Sequence, residues 1–189
     1  MTISKQEAAR VLQEIDTAQQ RTSTMLGYRA AAPYCLLWGC IRLLANLTTE
    51  FVPALAHIWN VLTPVGILLS MWIMHRQVQP SRTGLLNDGK ASRWRYALAW
   101  LIIIGFITAT IFIMHPINAR QMNAFISFFW AFLYALIGLW TGWRIVAIGI
   151  ATAATVLIGY TFITAHFNLW MALAVDSLLI LGSLWLRKV

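Results

Sequence analysis

Residues 122–165 read MNAFISFFWAFLYALIGLWTGWRIVAIGIATAATVLIGYTFITA, an almost unbroken apolar run that contains one charged side chain. A single helix over this run would be roughly 65 Å long at about 1.5 Å per residue, which is about twice the thickness of the bilayer hydrocarbon. The run must therefore fold back on itself. The break is predicted at Thr141, Gly142, Trp143 and Arg144, which hold its best helix breaker and its only charge.

The composition of the whole chain is that of a membrane protein. Of its 189 residues, 60% are hydrophobic and 11% are charged, and the mean hydropathy is +0.70. Soluble domains are typically about 45–50% apolar and about 25% charged, and a soluble chain this short cannot bury so much apolar surface. The ten tryptophans are also typical of proteins that place indole rings at the headgroup boundary.

Six apolar stretches are long enough to cross a bilayer, since a helical span needs roughly 20 apolar residues. They predict an all-α, polytopic membrane helix bundle with six transmembrane helices in three antiparallel hairpins. A cytoplasmic amphipathic helix within residues 1–29 is predicted to precede the membrane domain, residues 30–189, whose cytoplasmic loop covers residues 77–95. The predicted spans are 31–49, 55–74, 96–114, 122–140, 145–165 and 169–186.

The distribution of basic residues predicts the orientation of the chain. Twelve of the 14 lysines and arginines lie on one predicted side of the membrane, and only Arg120 lies on the other. By the positive-inside rule the basic side is cytoplasmic, so both termini are expected on the cytoplasmic side of a cytoplasmic (inner) membrane. The net charge of +8 then reflects topology and anionic lipid of the bilayer, and no nucleic-acid partner is predicted. The twelve residues are Lys5, Arg10, Arg21, Arg29, Arg76, Arg82, Lys90, Arg93, Arg95, Arg144, Arg187 and Lys188.

Residues 4–27 are predicted to form the amphipathic helix, because apolar or small residues recur there mostly at three- and four-residue steps. Two interpretations stay open at this point. The helix either packs under the bundle or on the inner leaflet, or it is a docking or coiled-coil element for a protein partner, since the steps also fit a short heptad run. We call the seven recurring residues the apolar stripe: Ala8, Val11, Leu12, Ile15, Ala18, Thr22 and Met25.

Arg42 and Asp176 are the two charged residues deep inside the predicted spans. Each lies about seven residues from the outer end of its helix, so helical rise places both at the same depth. A charge at mid-membrane costs at least about 2.5–3.5 kcal/mol and is therefore normally paired or faces a polar cavity. A buried Arg42–Asp176 ion pair is predicted to close the first helix onto the last. Asn46 and Glu50 follow at four-residue steps and share the helical face of Arg42.

A histidine occurs at each of the three predicted outer turns: His57, His115 and His166. Imidazole binds zinc, copper and iron, and three histidines are a known zinc ligand set. One interpretation of function is therefore a metal or haem redox protein that uses these outer histidines. No HxxxH or HExxH spacing accompanies them, and no cofactor is predicted.

Enzyme signatures are absent, since no GxSxG or HExxH occurs and only three carboxylates lie beyond the N-terminal segment. A catalytic role is not expected. The preferred interpretation is a non-enzymatic accessory or regulatory subunit, with Arg42–Asp176 as a charge clamp and residues 4–27 as the partner-binding helix. The alternative is a small-solute transporter or channel-like protein, expected to be a homodimer, in which Arg42, Asn46, Glu50 and Asp176 line a polar cavity.

Overall fold

The structure is a computed structural model that describes residues 5–78, 103–112 and 118–188. Across those residues the chain is an all-α bundle without strands, and five helices are long and apolar enough to cross a membrane. The chain is therefore a multi-pass integral membrane protein, as its composition predicts. The helices are α1 (Lys5–Phe51), α2 (Trp59–Val78), α3 (Ile103–Phe112), α4 (Ala119–Thr141), α5 (Trp143–Phe162) and α6 (Phe167–Arg187).

Five of the six predicted spans coincide with the long helices, and the third is described only over α3. The rest of that span, the loop from residue 79 onward and His115 lie outside the described residues, so the sixth span stays a prediction. The fold-back inside the long apolar run is present: α4 ends at Thr141 and α5 begins at Trp143. Gly142 between them has a φ of 139°, which only glycine adopts readily.

Helix α1 runs from the N-terminal segment into the membrane as one continuous helix. Its 47 residues correspond to about 70 Å, more than twice the thickness of the bilayer hydrocarbon. The turn between α4 and α5 marks one end of the bundle beside α1, because Gly142 lies against Thr24 and Tyr28. The residues of α1 before Thr24 therefore project beyond this turn, by about 28 Å at helical rise.

Helices α1 and α6 lie at the centre of the bundle. Helix α6 packs along α1, α5 packs on both α6 and α4, and α2 contacts α1. Small residues bring α4 and α5 together, since Gly149 lies directly against the backbone of Ala131 and Ala135. The core that joins α1, α5 and α6 consists of Tyr28, Ala32, Cys35, Ile145, Ile148, Leu179 and Leu186.

Helix α6 is not α-helical throughout. A π-helical segment, Met171–Asp176, separates the short α-helical turn Phe167–Trp170 from the α-helix Ser177–Arg187. The wider turn changes the register of the side chains on either side of it, and such segments are frequent at functional sites. This one ends at Asp176, the buried acid that the sequence singles out.

Candidate functional site

Arg42 and Asp176 form a buried ion pair between α1 and α6. Arg42 Nε donates a hydrogen bond to Asp176 Oδ1 over 2.8 Å. The two residues are 8% and 0% exposed, so the charges lie within the bundle and not on its surface. The structure thus brings together the two residues whose depths match in the sequence.

Asn46 adds a second bond from α1 to the same carboxylate. It lies one turn after Arg42, is 0% exposed, and its Nδ2 donates to Asp176 Oδ2 over 2.7 Å. Both carboxylate oxygens therefore accept a hydrogen bond from a side chain of α1. Two donors on one rigid helix hold the carboxylate in a single orientation, and bonds to an ionised acceptor are stronger than neutral ones.

Helix α4 contributes polar residues that the sequence analysis does not identify. Arg42 Nη2 donates to Ser127 Oγ over 2.7 Å and to Asn123 Oδ1 over 3.4 Å. Asn123 Nδ2 in turn donates to Asn46 Oδ1 over 2.8 Å, and to Asn168 Oδ1 at the start of α6 over 3.4 Å. The buried polar bonds therefore join three helices, α1, α4 and α6.

We call Arg42, Asn46, Asn123, Ser127 and Asp176 the clamp network. Protein groups supply partners for both oxygens of the carboxylate and for both ends of the Asn46 amide. Among the described residues, the buried side-chain atoms without a hydrogen-bond partner are Arg120 Nε and Thr152 Oγ1, and neither belongs to the network. Pairing of this kind is what allows an arginine and an aspartate to remain inside a membrane bundle.

Glu50 lies outside the clamp network, although it shares the helical face of Arg42 and Asn46. Its Oε1 is 2.8 Å from Nδ1 of His166, in the turn between α5 and α6. The side chain of His166 is 72% exposed and that of Glu50 is 13% exposed. The pair links the ends of α1 and α6 at the end of the bundle that holds Phe51, which we call the outer end. The four predicted site residues therefore divide into a buried set of three and a separate surface pair.

The three outer histidines do not form a metal site within the part of the chain that the structure describes. His57 lies exposed in the 3₁₀ segment Pro53–Ile58, and His166 pairs with Glu50. No group of three or more histidine, cysteine or acidic residues among the described residues has the geometry to hold a metal ion. Since His115 lies outside that part, convergence of all three histidines stays a prediction.

Arg120, the single basic residue predicted on the outer side, is bound to the C-terminal end of α5. Its guanidinium donates to the carbonyl oxygens of Tyr160 and Ile163. It also lies 5.0 Å from the ring centroid of Tyr160 and 5.2 Å from that of Phe167. A cation at this position satisfies carbonyl groups that a helix end leaves without partners.

The apolar stripe of α1 is exposed over its whole described length. Val11, Leu12 and Ile15 are 48%, 63% and 54% exposed, and Met25 is 43% exposed. On another side of the helix Arg10 and Glu14 form a surface ion pair of 3.1 Å. An exposed, contiguous apolar surface is typical of a contact site for protein or membrane.

Known proteins provide no family for this chain. No protein-family model, no curated protein and no solved structure matches it. Function is therefore inferred from the clamp network and from the exposed surface of α1.

Proposed function

We propose that this integral membrane protein is a non-enzymatic accessory or regulatory subunit, in which residues 4–27 dock a protein partner. The observation that carries the proposal is the apolar stripe, which is exposed on a helix that projects about 28 Å beyond the α4–α5 turn. The charge asymmetry of the sequence supports a cytoplasmic location for this projecting part, in a cytoplasmic membrane.

The continuous course of α1 favours protein over lipid as the occupant of the stripe. A helix that lies on the leaflet must turn sharply away from the span that follows it, and sharp turns require a break in the helix. Helix α1 is continuous from Lys5 to Phe51, and its one proline, Pro33, lies after the projecting part and within the predicted span. The exposure of the stripe also means that it does not pack under the described helices of its own chain.

The clamp network supports the proposal by holding α1 in place. Its bonds fix α1 to α4 and α6 at one depth and one rotation, and breaking a buried ion pair costs about 3–5 kcal/mol. The polar groups of the network are also hydrogen-bonded to one another and not to water, since Asn46 and Asp176 are both 0% exposed. A bundle held in this way keeps the projecting part of α1 at a constant angle to the membrane.

A small-solute transporter or channel-like protein is the second candidate, and one observation favours it. Asn123 and Asn168 are only partly buried, and they continue the clamp network towards the outer end. Membrane-embedded charges commonly mark the paths of solutes and ions, and the π-helical segment ends at Asp176. In this alternative Asn46 and Asp176 become accessible to water from outside in a second conformation.

Co-purification from native membranes tests the docking function. The proteins that co-purify with tagged full-length chain, untagged copies of the chain included, are quantified for the unaltered protein, Ile15→Asn and Gln13→Asn. Ile15 lies in the stripe and Gln13 lies on the opposite side of the same helix turn, so the two variants differ in position and not in the residue introduced. Loss of a stoichiometric partner in Ile15→Asn alone supports docking, whereas the same set of proteins in all three samples refutes it.

Thiol labelling separates docking from transport. In a chain with Cys35→Ala and Cys40→Ala, a single cysteine is introduced as Ser127→Cys, which leaves both hydrogen bonds to the Asp176 carboxylate in place. The chain is then exposed to a membrane-impermeant maleimide. A closed clamp predicts no labelling in intact cells and labelling only after denaturation. Labelling in intact cells would show a water-filled path from outside and would support the transporter.

A further inference from the structure

We infer that the protein on the apolar stripe is a second copy of this chain, bound as a parallel pair of α1 helices. The inference rests on the proposed function, because it takes the stripe as a protein-docking surface and identifies the occupant. The accessory unit is then itself a homodimer.

The spacing of the stripe is that of a coiled coil. From residue 8 to residue 25 its members alternate between steps of three and four, with Leu12 as an additional apolar residue beside the seam. Ile15, at the middle a position, is a residue type that parallel two-stranded coiled coils favour there. The a positions are Ala8, Ile15 and Thr22, and the d positions are Val11, Ala18 and Met25.

The flanks of the seam bring no like charges together. In a parallel pair the residue at each g position faces an e position of the partner helix. The e positions from residue 12 onward are Leu12, Gln19 and Leu26, so Glu14 and Arg21 at the g positions meet no charged residue. Leu12 and Leu26 are 63% and 61% exposed and add apolar area at the edge of the seam.

The membrane enforces the parallel orientation that this heptad pattern requires. Because α1 is continuous with its transmembrane part, two copies with the same topology send their N-terminal segments in the same direction. Confinement to one membrane also raises the effective concentration of one helix near the other. This compensates for a seam of only about three heptads, which is short for a coiled coil in solution.

The stripe lies on the side of α1 that the bundle leaves uncovered. At 3.6 residues per turn, the residues that pack into the core, Tyr28, Ala32 and Cys35, point roughly 120° away from the middle of the stripe. Cys40 and Leu44, within the membrane, share the side of the stripe and are exposed, Leu44 to 56%. Two copies can therefore meet along α1 from the projecting segment into the membrane without displacing any described helix of either bundle.

Cysteine cross-linking in native membranes tests the homodimer. Single cysteines are placed at Ile15→Cys, an a position, and at Gln13→Cys, the matched control on the opposite side, in the full-length chain with Cys35→Ala and Cys40→Ala. After mild oxidation, Ile15→Cys should give a covalent species of twice the chain mass, on the order of tenfold more than Gln13→Cys. Val11→Cys, at a d position, should give a similar yield of covalent dimer to Ile15→Cys. It therefore still tests the homodimer if Ile15→Cys fails to fold.

The other outcomes distinguish failure of the inference from failure of the proposed function. A cross-linked species of another mass at Ile15→Cys overturns the second copy and leaves protein docking in place. Equal yields of dimer at Ile15→Cys and Gln13→Cys indicate random collision and overturn the parallel seam. No cross-linked species at either Ile15→Cys or Val11→Cys overturns the homodimer, whereas docking of a different protein is overturned only when the co-purifying proteins are the same in the unaltered chain, Ile15→Asn and Gln13→Asn.

Discussion

Replacing Asp176 by asparagine removes one charge from the clamp network without changing the size of the side chain. Arg42 then loses a carboxylate partner at 2.8 Å while it remains 8% exposed inside the bundle. Ser127 and Asn123 still accept hydrogen bonds from its Nη2, but neither carries a charge. Leaving a buried charge without its partner costs about 3–5 kcal/mol of folding free energy.

This free energy converts into a measurable change of the melting temperature. For chains of 150–250 residues, 1 kcal/mol corresponds to about 2–4 °C, so Asp176→Asn should lower Tm by about 6–20 °C. Removing both charges, in Arg42→Met with Asp176→Asn, should restore at least half of that loss, because no charge remains buried. The remaining loss comes from Ser127 and Asn123, which lose Arg42 as a donor but keep hydrogen bonds to each other and to Asn46.

Thermal unfolding of the purified full-length protein in one detergent measures these values. The ten tryptophans make intrinsic fluorescence a sensitive signal, with size-exclusion chromatography after heating as an independent measure of the folded fraction. An unchanged Tm in Asp176→Asn would refute the clamp. The clamp would also be refuted if the double variant lost more stability than the sum of the losses of Arg42→Met and Asp176→Asn. For a charge pair, the loss in the double variant must be smaller than that sum.

Two further predictions concern helix packing and the outer pair. Gly149→Val should separate α4 from α5 and lower Tm by about 4 °C or more, because a Cβ at Gly149 comes within 2.4 Å of Ala135 N and 2.7 Å of the Ala131 carbonyl oxygen. The matched variant Gly105→Val, where a Cβ meets nothing within 4 Å, should leave Tm unchanged or slightly raised. Equal losses in both variants would contradict this account of the α4–α5 contact. Glu50→Gln should lower Tm by less than about 4 °C, since a pair with an exposed partner contributes at most about 1 kcal/mol. A loss as large as that of Asp176→Asn would contradict this, because the outer pair would then hold α1 to α6 as strongly as the clamp does.

The contact between Arg42 and Asp176 was predictable because a charged side chain inside hydrocarbon needs a partner of opposite charge or a polar cavity. Each charged residue needs a partner at its own depth, and depth follows from counting residues along an apolar span. The sequence thus identifies the first and last helices as neighbours. The same reasoning finds the fold-back at Gly142, where the apolar run exceeds the thickness of the bilayer.

Uncharged polar residues give a weaker signal, which is why Asn123, Ser127 and Asn168 were missed. Single polar residues near the ends of spans are tolerated without a buried partner, so the sequence does not require them to meet anything. The four-residue step from Asn123 to Ser127 places both on one face of α4, and this was the available signal. Which neighbour that face meets depends on how closely α4 approaches α5 at Gly149, a property of the packed bundle.

The predicted amphipathic segment is not separated from the first span in the structure. Hydropathy changes near residue 30 because the surroundings change from water to lipid. This change does not indicate whether the helix ends there. No residue there forces the helix to end, since Gly27 fits within it against Thr141 and the helix continues through Pro33. The π-helical segment of α6 could not be predicted from the sequence either, because Met171–Asp176 consists of five ordinary apolar residues and one acid.

Native mass spectrometry of the full-length chain, extracted from its membrane with minimal detergent, tests most directly the central claim that the exposed stripe of α1 binds protein. The account predicts an assembly that contains two copies of the chain, that separates into single copies in Ile15→Asn and that stays intact in Gln13→Asn. A single copy of the unaltered chain that carries a bound solute, metal or haem and no second polypeptide would contradict it.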